Sequence, residues 1–354
     1  MIEIPSVRVS IIVACLNERD SIQDLLCSIL SQDLSEPWEA IIADGMSDDG
    51  TRDILLDYQA RHPFLRLVDN PGRIVSTGLN AAIRTARGAL IIRMDAHTQY
   101  APDYCRTCLN VIERTGADNV GGPARTRTKS IRGEAVAAAY HSRFSTGGAK
   151  FHDVTYRGWV DTVPYGCWHK SALQRLGLFD EALVRNQDDE LNFRLHRAGG
   201  RIWQDPAIVS WYMPRSNLSK LFGQYFQYGF WKVAVIRKHG LPASWRHLVP
   251  VLWVLMNVTL LAAMVITKAV HSQQVFADLV TLWLTAALLY AAATTAAAIQ
   301  AAGKHQWAVL PYLPAVFATY HLSYGVGFAA GMLTFWNRRK KTSSLSEAFV
   351  RLTR

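Results

Sequence analysis

The chain has 354 residues, half of them apolar (50%), and a net charge of +10 from 38 basic and 28 acidic residues. Its basic residues gather beside long apolar runs rather than along a separate basic motif, so anionic lipid or a lipid diphosphate is the expected partner and nucleic acid is not. Five cysteines without an even, spaced framework exclude a disulfide-stapled extracellular scaffold and suit a reducing compartment.

In chain order, VRVSIIVACLNE (7–18) is apolar and β-branched and ends in Asn17-Glu18, which predicts a buried strand. Its apolar run is too short for a signal peptide and lacks a basic lead-in and a cleavage site, so the first 245 residues are expected in the cytoplasm. Residues 20–32 carry apolar side chains at 22, 25, 26, 29 and 30, a helical stripe that Asp20 would cap. A strand over 38–45 ends at Asp44. A helix over 49–62, a strand over 64–70 and a helix over 75–88 closed by Gly88 follow. ALIIRMDAHTQY (89–100) reads as a fourth buried strand carrying Asp95-Ala96-His97. This alternation predicts an α/β domain with a mainly parallel sheet. Cys105 and Cys108 form a lone CxxC that reads as two apolar residues on one helix face.

Ligands of open α/β sheets bind at the carboxyl ends of the strands. Three of these ends carry an acid: Glu18, Asp44 and Asp95. Any one could cap the next helix, but three on one edge need a counter-ion or donors. A divalent cation with a nucleotide diphosphate would supply both. The first strand has no GxGxxG turn and the chain has no GxxxxGK[ST] loop, which excludes dinucleotide and P-loop sites. Mg²⁺ or Mn²⁺ suits the oxygens of Asp95, and Mn²⁺ accepts a neutral imidazole at His97.

NQDDEL (186–191) is either a helix start capped by Asn186, with Leu191, Leu195 and Ala198 inward, or a catalytic acid; the residues leave both open. QYFQYGFWK (224–232) interleaves aromatics with Lys232 ahead of Arg237. It suits either a sugar face and a lipid-linked diphosphate or an amphipathic interface helix. Arg73, Arg215, His169 and Lys170 are weaker candidates. Beyond 245 the charges nearly vanish, and segments at about 248–270, 275–302 and 307–337 are each long enough to cross a bilayer. Arg237, Lys238, Arg246 and His247 precede them and a basic run at 338–341 follows. Three full crossings would put that run opposite the catalytic half. Two crossings are therefore expected, with a third segment re-entrant or interfacial and broken at Pro311, Pro314, Gly325, Gly327 and Gly331. The expected division is a cytosolic domain (1–235), a basic interfacial linker (236–247), a membrane region (248–337) and a basic tail (338–354).

SIIVACLNE, ADGMSDDGT, RMDAH, GCWHKSALQRLGLFDEAL and NQDDELNFRL occur in an order and spacing that resembles family 2 glycosyltransferases across residues 7–235. VDTVPYGCW, QDDELNFRL and QYFQYGFWK ahead of membrane segments are most similar to the succinoglycan-type exopolysaccharide glucosyltransferases. The resemblance implies a GT-A fold, a nucleotide-diphosphate sugar donor, a divalent cation and inversion by single displacement. It implies that Asn17 and Glu18 lie against the nucleoside, that Asp44 recognises uracil, and that Asp48 or Asp49 sits in the loop beneath. Asp95 matches the first acid of a DxD motif, contacting metal and nucleotide, and His97 replaces the second. Asp188 matches the general base, with Gln187 where the family has glutamate; Asp189 and Glu190 are weaker. Gln224 agrees with a QxxRW motif, whereas Gln227 and Tyr228 replace its arginine and tryptophan, which argues against processive synthesis. Tyr228, Trp231 and His169 join Gln224 as acceptor or diphosphate candidates.

Inversion by one displacement needs a carboxylate for the acceptor hydroxyl's proton and a cation for the leaving diphosphate, on opposite sides of the anomeric carbon. Asp188 and Asp95, distant in sequence, satisfy that. The expected activity is transfer of one hexose, glucose from UDP-glucose, onto a polyprenyl-diphosphate-linked saccharide at the inner membrane, alongside other exopolysaccharide-assembly enzymes. The rivals are a processive polysaccharide synthase and a non-catalytic sugar-nucleotide-binding scaffold.

Overall fold

The computed structural model describes residues 7–336 apart from 241 and 243, so the expected tail over 338–354 lies outside the described residues. Four parallel strands build the first half: β1 (Val9–Cys15), β2 (Trp38–Asp44), β3 (Leu65–Asp69) and β4 (Leu90–Arg93). They are linked by α1 (Ile22–Leu30), α2 (Thr51–Arg61) and α3 (Val75–Thr85). Residues two apart on β1 share a face. Ile11 and Val13 therefore pack with α1, and Ile12 packs with Leu79 and Ile83 of α3.

The strand expected over 89–100 is two strands. β4 stops at Arg93, the chain turns through Asp95–His97, and β5 (Thr98–Tyr100) enters a second sheet. The chain continues as α4 (Tyr104–Thr115), β6 (Asn119–Gly121), β7 (Arg125–Thr126), α5 (Ile131–Tyr140), α6 (Arg143–Thr146), β8 (Gly158–Val160), β9 (Cys167–His169) and α7 (Lys170–Arg175). After these come α8 (Gln187–Arg197), β10 (Ile202–Gln204), β11 (Ser210–Tyr212) and α9 (Leu218–His239). The main sheet has the order β3-β2-β1-β4-β9-β6-β10-β8, in which only β8 and β9 run against the rest; β5-β11-β7 form the second. Cys105 and Cys108 are free and buried on α4, as expected of two apolar residues. Helix α3 ends three residues before Gly88, which lies against β1 instead, where a Cβ would come within 2.6 Å of the Ser10 nitrogen.

The apolar end contains α10 (Val249–Ala269), α11 (Gln273–Lys304) and α12 (Leu313–Trp336). Among the described residues two helices are long and apolar enough to cross a membrane, Trp245–Ala269 and Gln273–Lys304. The breaks expected at Gly325, Gly327 and Gly331 are not there, since α12 runs unbroken through them; the segment changes only at its start, from a 3₁₀ stretch (Trp307–Tyr312) to α12. Pro311 falls in the turn before it and Pro314 in its first turn, where proline is tolerated. Its glycines are contact points. A Cβ on Gly327 would meet the Phe226 carbonyl of α9 at 2.0 Å, and one on Gly325 the Pro250 carbonyl of α10 at 2.5 Å. Small residues let helix backbones approach this closely.

The α/β part and the apolar end share a core, since Ala135 and Ala138 of α5 and Leu221 of α9 cluster with Ala298 of α11 and Phe317 of α12. The division expected at 235 thus falls inside α9. The basic residues expected to face lipid are engaged within the chain: Arg237 on the Phe335 carbonyl, Lys238 on Asp180 (2.6 Å) and Glu190 (2.7 Å), and Arg246 on Asp161 (2.9 Å).

Candidate active site

β1 and β2 end level, Cys15 beside Asp44. Asn17 then takes a left-handed conformation (φ 55°), which asparagine tolerates, and turns Glu18 over the sheet edge. Asn17 and Asp48 bond each other reciprocally, Asn17 Nδ2 donating to Asp48 Oδ1 (2.9 Å) and Asp48 N to Asn17 Oδ1 (3.1 Å). Asp44 is 0% exposed and accepts from Ser47 Oγ (2.5 Å) and Arg52 Nη1 (2.9 Å). Thr51 and the Arg19 amide draw Asp49 below the usual carboxylate range despite burial. Asn17, Asp44 and Asp48 therefore knit the loop, whereas Glu18 lines the adjacent cavity.

The turn after β4 brings Asp95 and His97 to the same cavity. Asp95 N donates to Tyr100 Oη (2.7 Å), and Asp95 Oδ1 accepts from His97 N (3.1 Å). The Asp95 carboxylate stays partly exposed, with Arg93 Nη2 3.8 Å from Oδ2. One such oxygen fits Mg²⁺ or Mn²⁺, ions that draw further ligands from phosphate and water. His97 turns one ring nitrogen away from Asp95: its Nε2 lies 2.9 Å from Glu18, and that hydrogen bond raises the imidazole's pKa against burial. A carboxylate on one ring nitrogen is also what orients a metal-bound imidazole, which leaves Nδ1 as the nitrogen that could meet a cation. Among the described residues no three His, Cys, Asp or Glu side chains gather into a metal cluster.

Arg93, which the sequence reading passed over, is the hinge of the site. Its side chain is 5% exposed and pairs with Asp188 of α8 while facing Asp95. Burial pushes the Asp188 carboxyl up, Arg93 pulls it down, and the result stays above the ordinary value. Successive residues on a helix point about 100° apart. Asp189 accordingly pairs with Lys232 and Glu190 with Arg194, Lys238 and His239, so only Asp188 meets Arg93. Asn186 does not cap α8 as expected; its Nδ2 donates to the Tyr228 carbonyl (2.9 Å). Leu191 and Leu195 are buried, but Ala198 is exposed. The available signal for Arg93 was an arginine inside an otherwise apolar strand, LIIRM.

On α9, Gln224, Tyr228 and Lys232 recur every four residues and face the cavity, with Gln224 Nε2 donating to Tyr212 Oη (3.0 Å) and Tyr228 Oη (3.2 Å). Trp231 is 3% exposed on another face, packed with Phe230, Val235 and Phe335, so its acceptor reading is corrected to a core residue. His169 is also misplaced: it pairs with Leu90 at the start of β4, the end opposite Asp95. Lys170 beside it donates to the Ala86 carbonyl.

Glu18, Arg73, Asp95, His97, Asp188 and Arg215 share one cavity of about 2010 Å³ that continues past Tyr228 to Trp253 of α10 and Tyr324 of α12. It can hold an extended ligand, with two carboxylates, Asp95 and Asp188, joined by one arginine. A family model described as glycosyl transferase family 2 matches residues 10–179. The chain is 33% identical over 250 residues to the succinoglycan biosynthesis protein ExoA of Rhizobium meliloti (strain 1021), covering 70% of this chain and 76% of the relative. It is 28% identical over 246 residues (67% of this chain, 76% of the relative) to a dolichyl N-acetyl-alpha-D-glucosaminyl phosphate 3-beta-D-2,3-diacetamido-2,3-dideoxy-beta-D-glucuronosyltransferase of Methanococcus voltae. A solved mannosyltransferase, PcManGT of Pyrobaculum calidifontis in complex with GDP-Man and Mn²⁺, superposes with a TM-score of 0.62 at 20% identity, over 95% of this chain and 89% of that one.

Proposed function

The chain belongs to glycosyltransferase family 2, and on that premise we propose that it moves a single glucose from UDP-glucose onto a polyprenyl-diphosphate-linked saccharide, with inversion. The observation that carries this reading is the meeting of Asp95 and Asp188 at Arg93 in one cavity that reaches the apolar helices. The relative involved in succinoglycan biosynthesis supports an exopolysaccharide role, with other assembly enzymes as partners.

In this reaction Asp188 takes the proton of the acceptor hydroxyl as its oxygen attacks the anomeric carbon; the bond from that carbon to the diphosphate oxygen breaks, and UDP leaves. Arg93 holds Asp188 ionised and aimed. Mg²⁺ or Mn²⁺ bound by Asp95 would neutralise charge on the leaving diphosphate. Glu18 faces the nucleoside over a loop braced by Asn17, Asp44 and Asp48, while Gln224 and Tyr228 face the acceptor. With α10 and α11 crossing the inner membrane, the cavity opens to the cytoplasm.

The test is binding of UDP, GDP and dTDP to the full chain in detergent, with Mn²⁺ and then EDTA, for wild type and Asp95→Ala. Turnover of UDP-glucose on lipid-linked saccharide follows. Manganese-dependent UDP binding lost in Asp95→Ala, with a product longer by one sugar, is the expected result. A long polymer would favour a processive synthase, binding without turnover a scaffold, and no nucleotide binding by folded protein would overturn the reading.

A further inference from the structure

One residue beyond the proposed base the cavity changes character. Asp189 pairs with Lys232, whose side chain is 7% exposed, and this part of the cavity is also lined by Arg246 and His247 ahead of α10 and by Tyr324 of α12. Two polar atoms here, His247 Nδ1 and Tyr324 Oη, are buried without a hydrogen-bond partner among the described residues. Buried polar atoms are ordinarily satisfied by protein, water or ligand. Across from them is the Gly147-Gly148 turn, both residues left-handed (φ 66° and 74°), with Arg246 packed over the first and Arg143 over the second. Arg143 lines the cavity and makes no ion pair among the described residues.

The wall beyond these groups is apolar. Val249, Pro250 and Trp253 of α10 line the cavity, and Trp245, at the start of the first candidate span, is 74% exposed. An ammonium, two guanidiniums, an imidazole and a phenol beside an apolar exit match an amphiphile with a phosphorylated head. They do not match a neutral sugar alone.

We propose that Arg143, Lys232, Arg246, His247 and Tyr324 form the subsite for the diphosphate of the lipid-borne acceptor, whose chain leaves along α10 toward the bilayer. This rests on the transferase reading above and adds to it where the acceptor's anionic head is held. Asp189 competes with that head for Lys232 and Asp161 for Arg246, so both pairs open when the diphosphate binds.

The test is binding of farnesyl diphosphate, farnesol and inorganic pyrophosphate to the full chain in detergent, with the donor site filled by UDP and Mn²⁺. Farnesyl diphosphate should bind at least about tenfold more tightly than either fragment. Arg143→Gln, on an exposed residue whose loss spares the fold, should weaken it roughly tenfold, as should Lys232→Gln; this is the loss of about one charge-assisted hydrogen bond. Asp189→Asn should tighten it several-fold, a direction that general destabilisation would not produce. Farnesol binding equal to farnesyl diphosphate would reduce the pocket to an apolar groove, and equal pyrophosphate binding to a free-anion site. Insensitivity to all three substitutions would place the lipid elsewhere. Each of these outcomes overturns the subsite. UDP binding in the same samples is scored separately, so loss of the subsite and loss of the transferase reading are told apart.

Discussion

The two walls of the cavity are built by different means. On one, Glu18, Arg93 and Asp95 stand at or just past the ends of β1 and β4, where hydrogen-bonded parallel strands hold them. On the other, Tyr228, Lys232 and Tyr324 reach the cavity because α9, α10 and α12 come together at glycines. The first wall depends on backbone pairing and the second on helix packing. Substitutions should therefore separate donor chemistry from acceptor binding, except where the walls meet at Asp188.

Asp188→Asn removes that meeting point and should have the largest effect: kcat falls by about 10² to 10⁴, the usual contribution of a general base, while manganese-dependent UDP binding stays within about twofold. Loss of UDP binding instead would mean that Asp188 belongs to the donor wall.

Arg93→Met comes next, with kcat falling by roughly 10² through misplacement of the base, and Arg93→Lys recovering part of it. The pH profile sharpens this case. As the proposed base, Asp188 acts when deprotonated, so kcat should rise with pH through its pKa, which burial already places above the ordinary carboxylate value against the pull of Arg93. Removing the guanidinium removes that pull, and the acid limb should move to higher pH. A limb that stays in place would reduce Arg93 to a packing role.

Gly327→Leu addresses the helix wall alone. A side chain there would collide with the Phe226 carbonyl of α9, and overpacking of this kind costs about 1–3 kcal/mol. The unfolding temperature should fall and the acceptor KM rise, with UDP affinity kept. Equal damage to both substrates would show that the walls do not act separately.

The difference between the walls also explains what could be read from the amino acids. β1 and β2 were legible because a short apolar run carries its own signal; NQDDEL alone left a helix start and an acid both open, and only the pairing with Arg93 sets Asp188 apart from Asp189 and Glu190. Arg93 was not legible, since its partners depend on where α8 lands against β4, which nothing in LIIRM encodes. Gly325, Gly327 and Gly331 were misread for a related reason. A glycine in an apolar segment is equally a breaker or a contact point, and only the neighbouring backbone decides.

His169 is the smallest test and the one aimed at sheet direction. It follows GCW closely enough to look like part of an acceptor site, yet β9 runs against β4 and sets His169 beside Leu90, while Cys167 lies beside Ile92 nearer the catalytic edge. Strands rise about 3.3 Å per residue, so the distance along β4 from Leu90 to Arg93 is roughly 10 Å, with Asp95 further still. His169→Ala should leave kcat and both KM values within about twofold and stability within about 0.5 kcal/mol, as for an exposed residue away from the chemistry. A tenfold loss of turnover would mean that the antiparallel pairing of β9 is wrong, and with it the closure of the sheet behind Arg93.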